Sequence, residues 1–234
     1  LLLLCSYLHF QKLQDSMDIA PAYFAGHSLG EYSALVAANS IPVNVALKLV
    51  RKRGELMELA PKGSMSAIMG LEDNIISEIC LAASTGENSH VQCANLNSPN
   101  QTVISGHDDA INRAQDLCLS KGAKRAIKLK VSIASHSKLM LRAADEFQQA
   151  LEAVEFCMPD TKIIHNVSVE AASSPHEIQS LLVSQLHSPV RWVEICDFIA
   201  TLNLPIIECG PGKVLSGLFK SNKLDSYFST SDEE

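Results

Sequence analysis

The sequence predicts an α/β protein with a parallel sheet into which a smaller α+β unit is inserted. Three observations predict it. A short apolar strand, a sharp glycine-flanked turn and a helix follow one another around Gly26; a β-α-β-β-α-β succession fills residues 64–131; and long helices alternating with short apolar strands return after it. At 234 residues the chain suits one large domain, or a main domain with a smaller lobe, better than a repeat array.

The elements follow in order. Leu1 to Leu4 run into Tyr7, Leu8, Phe10 and Leu13 as a helix; no basic segment precedes them, which argues against a signal peptide. No capping residue stands ahead of that helix, so the chain is expected to begin inside an element of a longer parent. Residues 21–26 (PAYFAG) read as a buried strand, and a helix runs from the next turn to about Asn39. Ser40 is expected to cap a second long helix with Pro42 in its first turn, closed by Pro61 and Gly63.

From Ser64 the pattern alternates as a strand to Gly70. Ile75, Ile76, Ile79, Cys80 and Ala83 then recur at helical spacing, and residues 90–96 and 102–105 form two strands around Asn97-Ser98-Pro99-Asn100. Ile111, Ala114, Leu117 and Cys118 share a helical face, and Ile127, Leu129 and Val131 alternate as the closing strand. Beyond it, residues 138–155 read as helix, 161–167 as strand, 175–186 and 190–202 as helices, and 205–209 as a strand ending at Gly210-Pro211-Gly212. Segments on both flanks of the insertion should share one sheet. Residues 223–234 are expected to form a loose acidic tail.

Composition limits the function. The chain is 47% hydrophobic and 19% charged, with 19 Lys and Arg against 26 Asp and Glu, a net charge of −7. Without a basic stripe, nucleic acid is not an expected partner, whereas a small anionic substrate held by one arginine is compatible. Seven scattered cysteines contain no C-x-x-C pair, which predicts reduced, mostly buried thiols, a cytoplasm-like compartment and no metal site. No apolar run reaches 18 residues, so no membrane span is expected.

Gly26-His27-Ser28-Leu29-Gly30 matches G-x-S-x-G in the strand-turn-helix setting that exposes a serine nucleophile. The competing reading is a capping serine between packing glycines; the strand before it and the apolar helix after it favour the nucleophile. The Leu29 backbone N–H, at the helix start, would then stabilise an oxyanion. Serine needs a base, and eight histidines are available. On a sharp turn the His27 side chain should diverge from Ser28. His9, His90, His107, His165, His176 and His187 have no setting that marks them as the base. His136 follows a strand end and precedes a helix, where α/β sheets present their chemistry. A histidine with an ordinary pKa of about 6.5 suits that role near neutrality.

In the helix after Ile41, residues Ala46, Leu49, Val50, Leu56 and Met57 make the apolar stripe, and Arg53 lies within it, unlike Arg51 and Lys52. An inward guanidinium must be paired or face a cleft. It is either an internal ion pair or a bidentate clamp for a substrate carboxylate near Ser28.

Residues 26–32 (GHSLGEY), 49–57 (LVRKRGELM), 95–106 (NLNSPNQTVISG), 131–140 (VSIASHSKLM), 185–192 (QLHSPVRW) and 208–215 (ECGPGKVL) together resemble the malonyl-CoA:acyl carrier protein transacylase family of fatty acid synthesis. The resemblance extends to about Phe219. It implies a hydrolase-like three-layer domain with a parallel sheet, built from residues 1–62 and 131–234, and an inserted ferredoxin-like α+β subdomain over 63–130. It implies Ser28 as the acyl-accepting nucleophile, His136 as its base, Arg53 as the malonyl-carboxylate clamp and the Gln185 backbone carbonyl as the group orienting His136. Asn95 and Gln101 fall in the stretch that lines the family's substrate cleft, although the same loop also joins two strands. The implied chemistry exchanges thioesters between malonyl-CoA and the phosphopantetheine of acyl carrier protein. It calls for no cofactor and no metal, and for a monomer in the cytoplasm, or in an organelle stroma or matrix if the parent carried a transit peptide.

Two departures qualify it. Family members open with a strand and a Gly-Gln-Gly loop that donates a second oxyanion N–H, and this sequence starts after that segment. A missing donor of that kind costs about 3 to 4 kcal/mol, so weakened catalysis is expected. Ala134-Ser135 precedes His136, a pairing found in relatives that accept methylmalonyl, which bears on malonyl selectivity. The alternatives are a polyketide-type acyltransferase, an acyl hydrolase, or a truncated non-catalytic remnant that binds carrier protein.

Overall fold

Residues 1–17 and 19–233 are described by the computed structural model, without the side chains of 232 and 233; residue 234, at the end of the acidic tail, lies outside the described residues. Helix α1 (Leu2–Ser16) buries Leu3, Phe10 and Leu13, and the Phe10 ring meets Phe24 edge-on at 5.2 Å. Phe24 belongs to β1 (Phe24–Ala25), which leads through the serine turn into α2 (Gly30–Ala37) and α3 (Val43–Leu59). On α3 the buried residues are Ala46, Leu49, Arg53, Leu56 and Met57, one face at helical spacing.

Residues 64–128 comprise β2 (Ser64–Met69), α4 (Asp73–Ala83), β3 (Val91–Ser98), β4 (Gln101–Gly106), α5 (Asp108–Ser120) and β5 (Arg125–Lys128). Its four strands lie in the order β3-β4-β2-β5, each antiparallel to its neighbour. Ile68 and Ile104 of the sheet pack with Ile76 and Ile79 of α4 and Ile111 of α5. The other face buries Met65, Ala67, Ala94 and Val103, which explains why β2 is buried along nearly its whole length. Asp108 and Asp109 in the first turn of α5 complement its dipole.

After β5, a 3-10 turn (Lys138–Met140) capped by the Ser137 side chain leads into α6 (Leu141–Glu152), then β6 (Ile163–Ile164) and α7 (Pro175–Gln185). Ser174 caps α7 by accepting from the Glu177 N–H, while Glu177 accepts from Ser173 N–H, so side chains satisfy the helix start. The chain ends through α8 (Trp192–Leu202), β7 (Ile206–Glu208), α9 (Val214–Ser221) and β8 (Tyr227–Ser229). β1 pairs in parallel with β6, joining segments that lie before and after the four-stranded sheet in sequence, and β7 pairs in parallel with β8. The fold is therefore mixed α/β with parallel and antiparallel sheets. Among the described residues no helix is long and apolar enough to cross a membrane.

Several elements differ from the sequence reading. Ser40 does not cap α3: Pro42 holds that position and the Ser40 hydroxyl donates to the Cys157 carbonyl at 2.7 Å. The strand expected through Val131 ends at Lys128, with one further bond from Leu129 N–H to Met65 O. The helix expected from Val190 starts at Trp192, because the Val190 N–H and C=O are bonded to β3 at Ala94 and Leu96. The tail is not wholly loose: Tyr227 packs on Phe219 at 6.0 Å and carries β8 onto β7. The cysteines are free, but only Cys80, Cys118 and Cys196 of the seven are buried.

Candidate active site

Between β1 and α2 the chain reverses so sharply that Ser28 adopts a left-handed backbone, φ +52°, a conformation costing about 1–3 kcal/mol for a residue with a side chain. The two glycines of the motif differ in kind. A Cβ on Gly26 would sit 2.0 Å from the Gly30 carbonyl carbon, whereas a Cβ on Gly30 would meet nothing within 4 Å. Gly26 is thus required by the close approach of strand and helix.

Side chains hold the strained turn from both ends. Ser28 N–H donates to Asn166 Oδ1 at 2.7 Å, and Asn166 Nδ2 donates to the Gly26 carbonyl at 2.7 Å. Gln185 Nε2 donates to the Ser28 carbonyl at 3.1 Å. The Ser28 hydroxyl is thereby aimed at His136 Nε2, 2.9 Å away.

His136 stands just before the 3-10 turn, also left-handed at φ +59°. Its N–H donates to the Leu186 carbonyl at 2.9 Å, and its Nδ1–H donates to the Gln185 carbonyl at 2.7 Å. The second bond fixes the tautomer and leaves the Nε2 lone pair facing Ser28. From β3, Gln92 Nε2 donates to the His136 and His187 carbonyls, and its Oε1 accepts from Lys138 N–H. The pKa is not the ordinary one expected from sequence. Burial, reinforced by the Arg53 guanidinium, lowers it to about 3, so the imidazole is neutral near pH 7 and free to accept a proton.

Arg53, 6% exposed, brings Nη2 to 3.2 Å from both Ser28 Oγ and Gln185 Oε1, with its guanidinium 5.9 Å from the Tyr32 ring centroid. Its Nε is buried with no partner among the described residues. A buried cationic donor without an acceptor is costly unless a ligand supplies one, which suits an anionic substrate group. Leu29 caps α2, and its N–H begins the row of helix-start donors beside Ser28.

Ser28, His136, Arg53 and Gln185 thus converge. Asn95 is buried in β3 and its backbone bridges Val190, three positions after His187. Gln101 lines a concavity of about 420 Å³ with Met69, Asn100, Lys124 and Ser221, whose lining includes none of Ser28, His136 and Arg53.

Sequence reasoning missed four neighbours. His27 does turn away from Ser28, but its Nε2 contacts Asn97 Oδ1 at 2.9 Å and its ring lies 5.3 Å from Trp192, so Asn97 reaches the turn from β3. Glu31, His165 and Asn166 form a buried group beneath Ser28. Glu31 carried a usable signal, a carboxylate in the first turn of a helix whose other buried residues are Tyr32, Ala34, Leu35 and Val36. Asn166, 138 positions from Ser28, carried none.

Residues 8–217 match the family described as acyl transferase domain. The chain is 42% identical to the malonyl CoA-acyl carrier protein transacylase of Escherichia coli K12, covering 94% of this chain and 72% of that protein. It is 43% identical to the protein of the same name from Bacillus subtilis 168, covering 100% and 74%. A solved malonyl CoA-acyl carrier protein transacylase from Coxiella burnetii superposes with a TM-score of 0.94 at 38% identity, covering 98% of this chain and 73% of that one. A malonyl-transacylase solved with a type II polyketide acyl carrier protein gives 0.92 at 41% identity, covering 97% and 74%.

Proposed function

Since the chain belongs to the acyl transferase domain family, among its malonyl-CoA:acyl carrier protein transacylases, we propose that Ser28, His136 and Arg53 carry out that reaction through a serine-bound acyl intermediate. The protein transfers a malonyl group to acyl carrier protein in fatty acid synthesis. The observation that carries the residue roles is the 2.9 Å contact from Ser28 Oγ to the unprotonated Nε2 of a buried, tautomer-locked His136.

His136 Nε2 takes the Ser28 hydroxyl proton as Oγ attacks the thioester carbonyl of malonyl-CoA. Negative charge gathers on the former carbonyl oxygen, where the Leu29 N–H donates to it. The tetrahedral species collapses, the carbon–sulfur bond breaks, and the departing CoA sulfur receives the proton from His136. The phosphopantetheine thiol of the carrier then gives its proton to His136 and attacks the malonyl-serine ester; collapse releases Ser28, which recovers the proton. Arg53 receives the malonyl carboxylate, with the unpartnered Nε as the donor that supports this reading.

Residues 63–130 form, in this reading, a ferredoxin-like subdomain inserted into a discontinuous hydrolase-like domain of residues 1–62 and 131–234. The β3-β4-β2-β5 order with two helices on one face supports it, as does the β1–β6 pair across the insertion. A polyketide-type carrier is a second reading for the acceptor, favoured by the neighbour solved with such a carrier.

Intact-mass analysis after mixing with malonyl-CoA tests the roles. A malonyl adduct on the unmodified protein and none on a folded Ser28→Ala variant is the expected result; an undiminished adduct on the variant would refute the nucleophile.

A further inference from the structure

Glu31 is 1% exposed, yet its carboxylate takes part in no step described above. Oε1 lies 2.6 Å from His165 Nδ1, and Oε2 accepts from Asn166 N–H at 3.1 Å and Gln185 Nε2 at 2.7 Å. The same Gln185 amide presents its oxygen to Arg53 Nη2 at 3.2 Å and its nitrogen also to the Ser28 carbonyl at 3.1 Å. Its orientation is dictated by chemistry. An ionised carboxylate only accepts and a guanidinium only donates, so the NH₂ must face Glu31 and the oxygen must face Arg53. No carboxylate among the described residues pairs directly with Arg53; negative charge reaches it only across this amide.

We propose that Glu31 is the positioning residue for substrate selection: its buried carboxylate, acting through the Gln185 side-chain amide, holds Arg53 in place while leaving the guanidinium's charge unspent for the acyl carboxylate. The proposal rests on the reading of Arg53 as the malonyl clamp. A carboxylate bonded directly to Arg53 would neutralise it; an interposed amide orients it without doing so. The arrangement also explains why one amide serves both the nucleophile turn and the clamp. Gln185 donates to Ser28 O and accepts from Arg53, so both depend on which way it is turned.

The effect of Glu31→Gln follows. The new amide offers one accepting atom where two faced three donors. Turning the Gln185 amide over would satisfy residue 31 but aim an NH₂ at the Arg53 guanidinium, donor against donor. The ratio of kcat/KM for malonyl-CoA to that for acetyl-CoA should fall about tenfold or more, the weight of one hydrogen bond to a charged group. Glu31→Asp keeps two accepting oxygens and should hold the ratio nearer the wild-type value. In an Arg53→Ala background Glu31→Gln should change the ratio no further, since its target is gone.

Exchanging the two groups, Glu31→Gln with Gln185→Glu, keeps the net charge of the pair but removes one donor to the Ser28 carbonyl, a loss that acts on both acyl donors alike and leaves their ratio informative if the single variant does not fold. It pairs Arg53 directly with a carboxylate and should abolish the malonyl preference. Equal losses for both acyl donors in Glu31→Gln, or a retained preference in the exchanged protein, would overturn the proposal while leaving the clamp intact. A malonyl preference surviving Arg53→Ala alone would overturn the clamp itself, and the proposal with it.

Discussion

Ser28 and His136, 108 positions apart in sequence, meet at 2.9 Å with both backbones in the left-handed region, φ +52° and +59°. Neither residue is a glycine, so the strain is held by the surrounding bonds: Asn166 and Gln185 on the serine, Leu186 and Gln92 on the histidine.

That strain is measurable. Ser28→Gly and Ser28→Ala should both lose the malonyl adduct, but the glycine variant should be the more stable by about 1 kcal/mol. The left-handed conformation costs alanine about 1–2 kcal/mol, and glycine's greater unfolded-state freedom returns only part of that. Urea unfolding of the two proteins decides it; an alanine variant equal to or more stable than the glycine one would mean the turn is unstrained.

The motif glycines should separate just as clearly. Gly26→Ala forces a Cβ to 2.0 Å from backbone of Gly30 and should unfold the protein or spread the turn, with loss of acylation. Gly30→Ala meets no atom and enters the first turn of α2, so it should fold with stability unchanged or raised by up to about 1 kcal/mol. Melting temperatures of the pair, with adduct formation alongside, test the asymmetry.

His136 links stability to pH. Its folded pKa, about 3, lies below the unfolded value of about 6.5, so the unfolded chain binds the proton more tightly. The stability associated with the neutral ring is complete above about pH 6.5 and is lost progressively as pH falls towards 3. Between pH 7 and 4.5 the wild type should therefore lose more stability than His136→Asn, as measured by urea titration. Parallel pH curves for the two would show that the ring is not buried in its neutral form.

The sequence made Ser28, Arg53 and His136 visible because each breaks or completes a local pattern: a serine between turn glycines, a cation in an apolar stripe, a histidine between strand and helix. The β-α-β-β-α-β order was legible for the same reason, since both periodicities are clean there. What was not legible depends on partners brought from afar. Asn166 sits in a stretch that reads as strand and Asn97 in one that reads as a turn, and nothing marks either until the fold sets them against Gly26 and His27. Residues 129–131 alternate like a strand, yet past Leu129 the chain leaves the ladder to carry His136 towards Ser28. The parallel strands were overestimated in length: β1 and β6 are two residues each, because the chain turns at once into the serine turn and the Asn166 loop.

Arg53 joins selectivity to pH, and one variant should move both. Arg53→Ala removes the proposed donor for the malonyl carboxylate, and kcat/KM for malonyl-CoA should fall relative to acetyl-CoA by roughly 2 to 5 kcal/mol if the pair is dry. It also removes a positive charge facing His136, second only to burial in holding that ring's pKa down. The acid limb of kcat/KM for acetyl-CoA should therefore move to higher pH in the variant, since the imidazolium is no longer repelled, yet stay below 6.5 because burial persists. Arg53→Lys should keep the limb near its wild-type position, as the charge is retained. It should recover only part of the malonyl rate, because an ammonium cannot present two parallel donors to a carboxylate. An Arg53 that served only to hold the fold would lower both acyl donors together with the melting temperature, and an unmoved limb would show that its charge does not reach His136; rate profiles from about pH 2.5 to 8 on the three proteins, with melting temperatures alongside, test both.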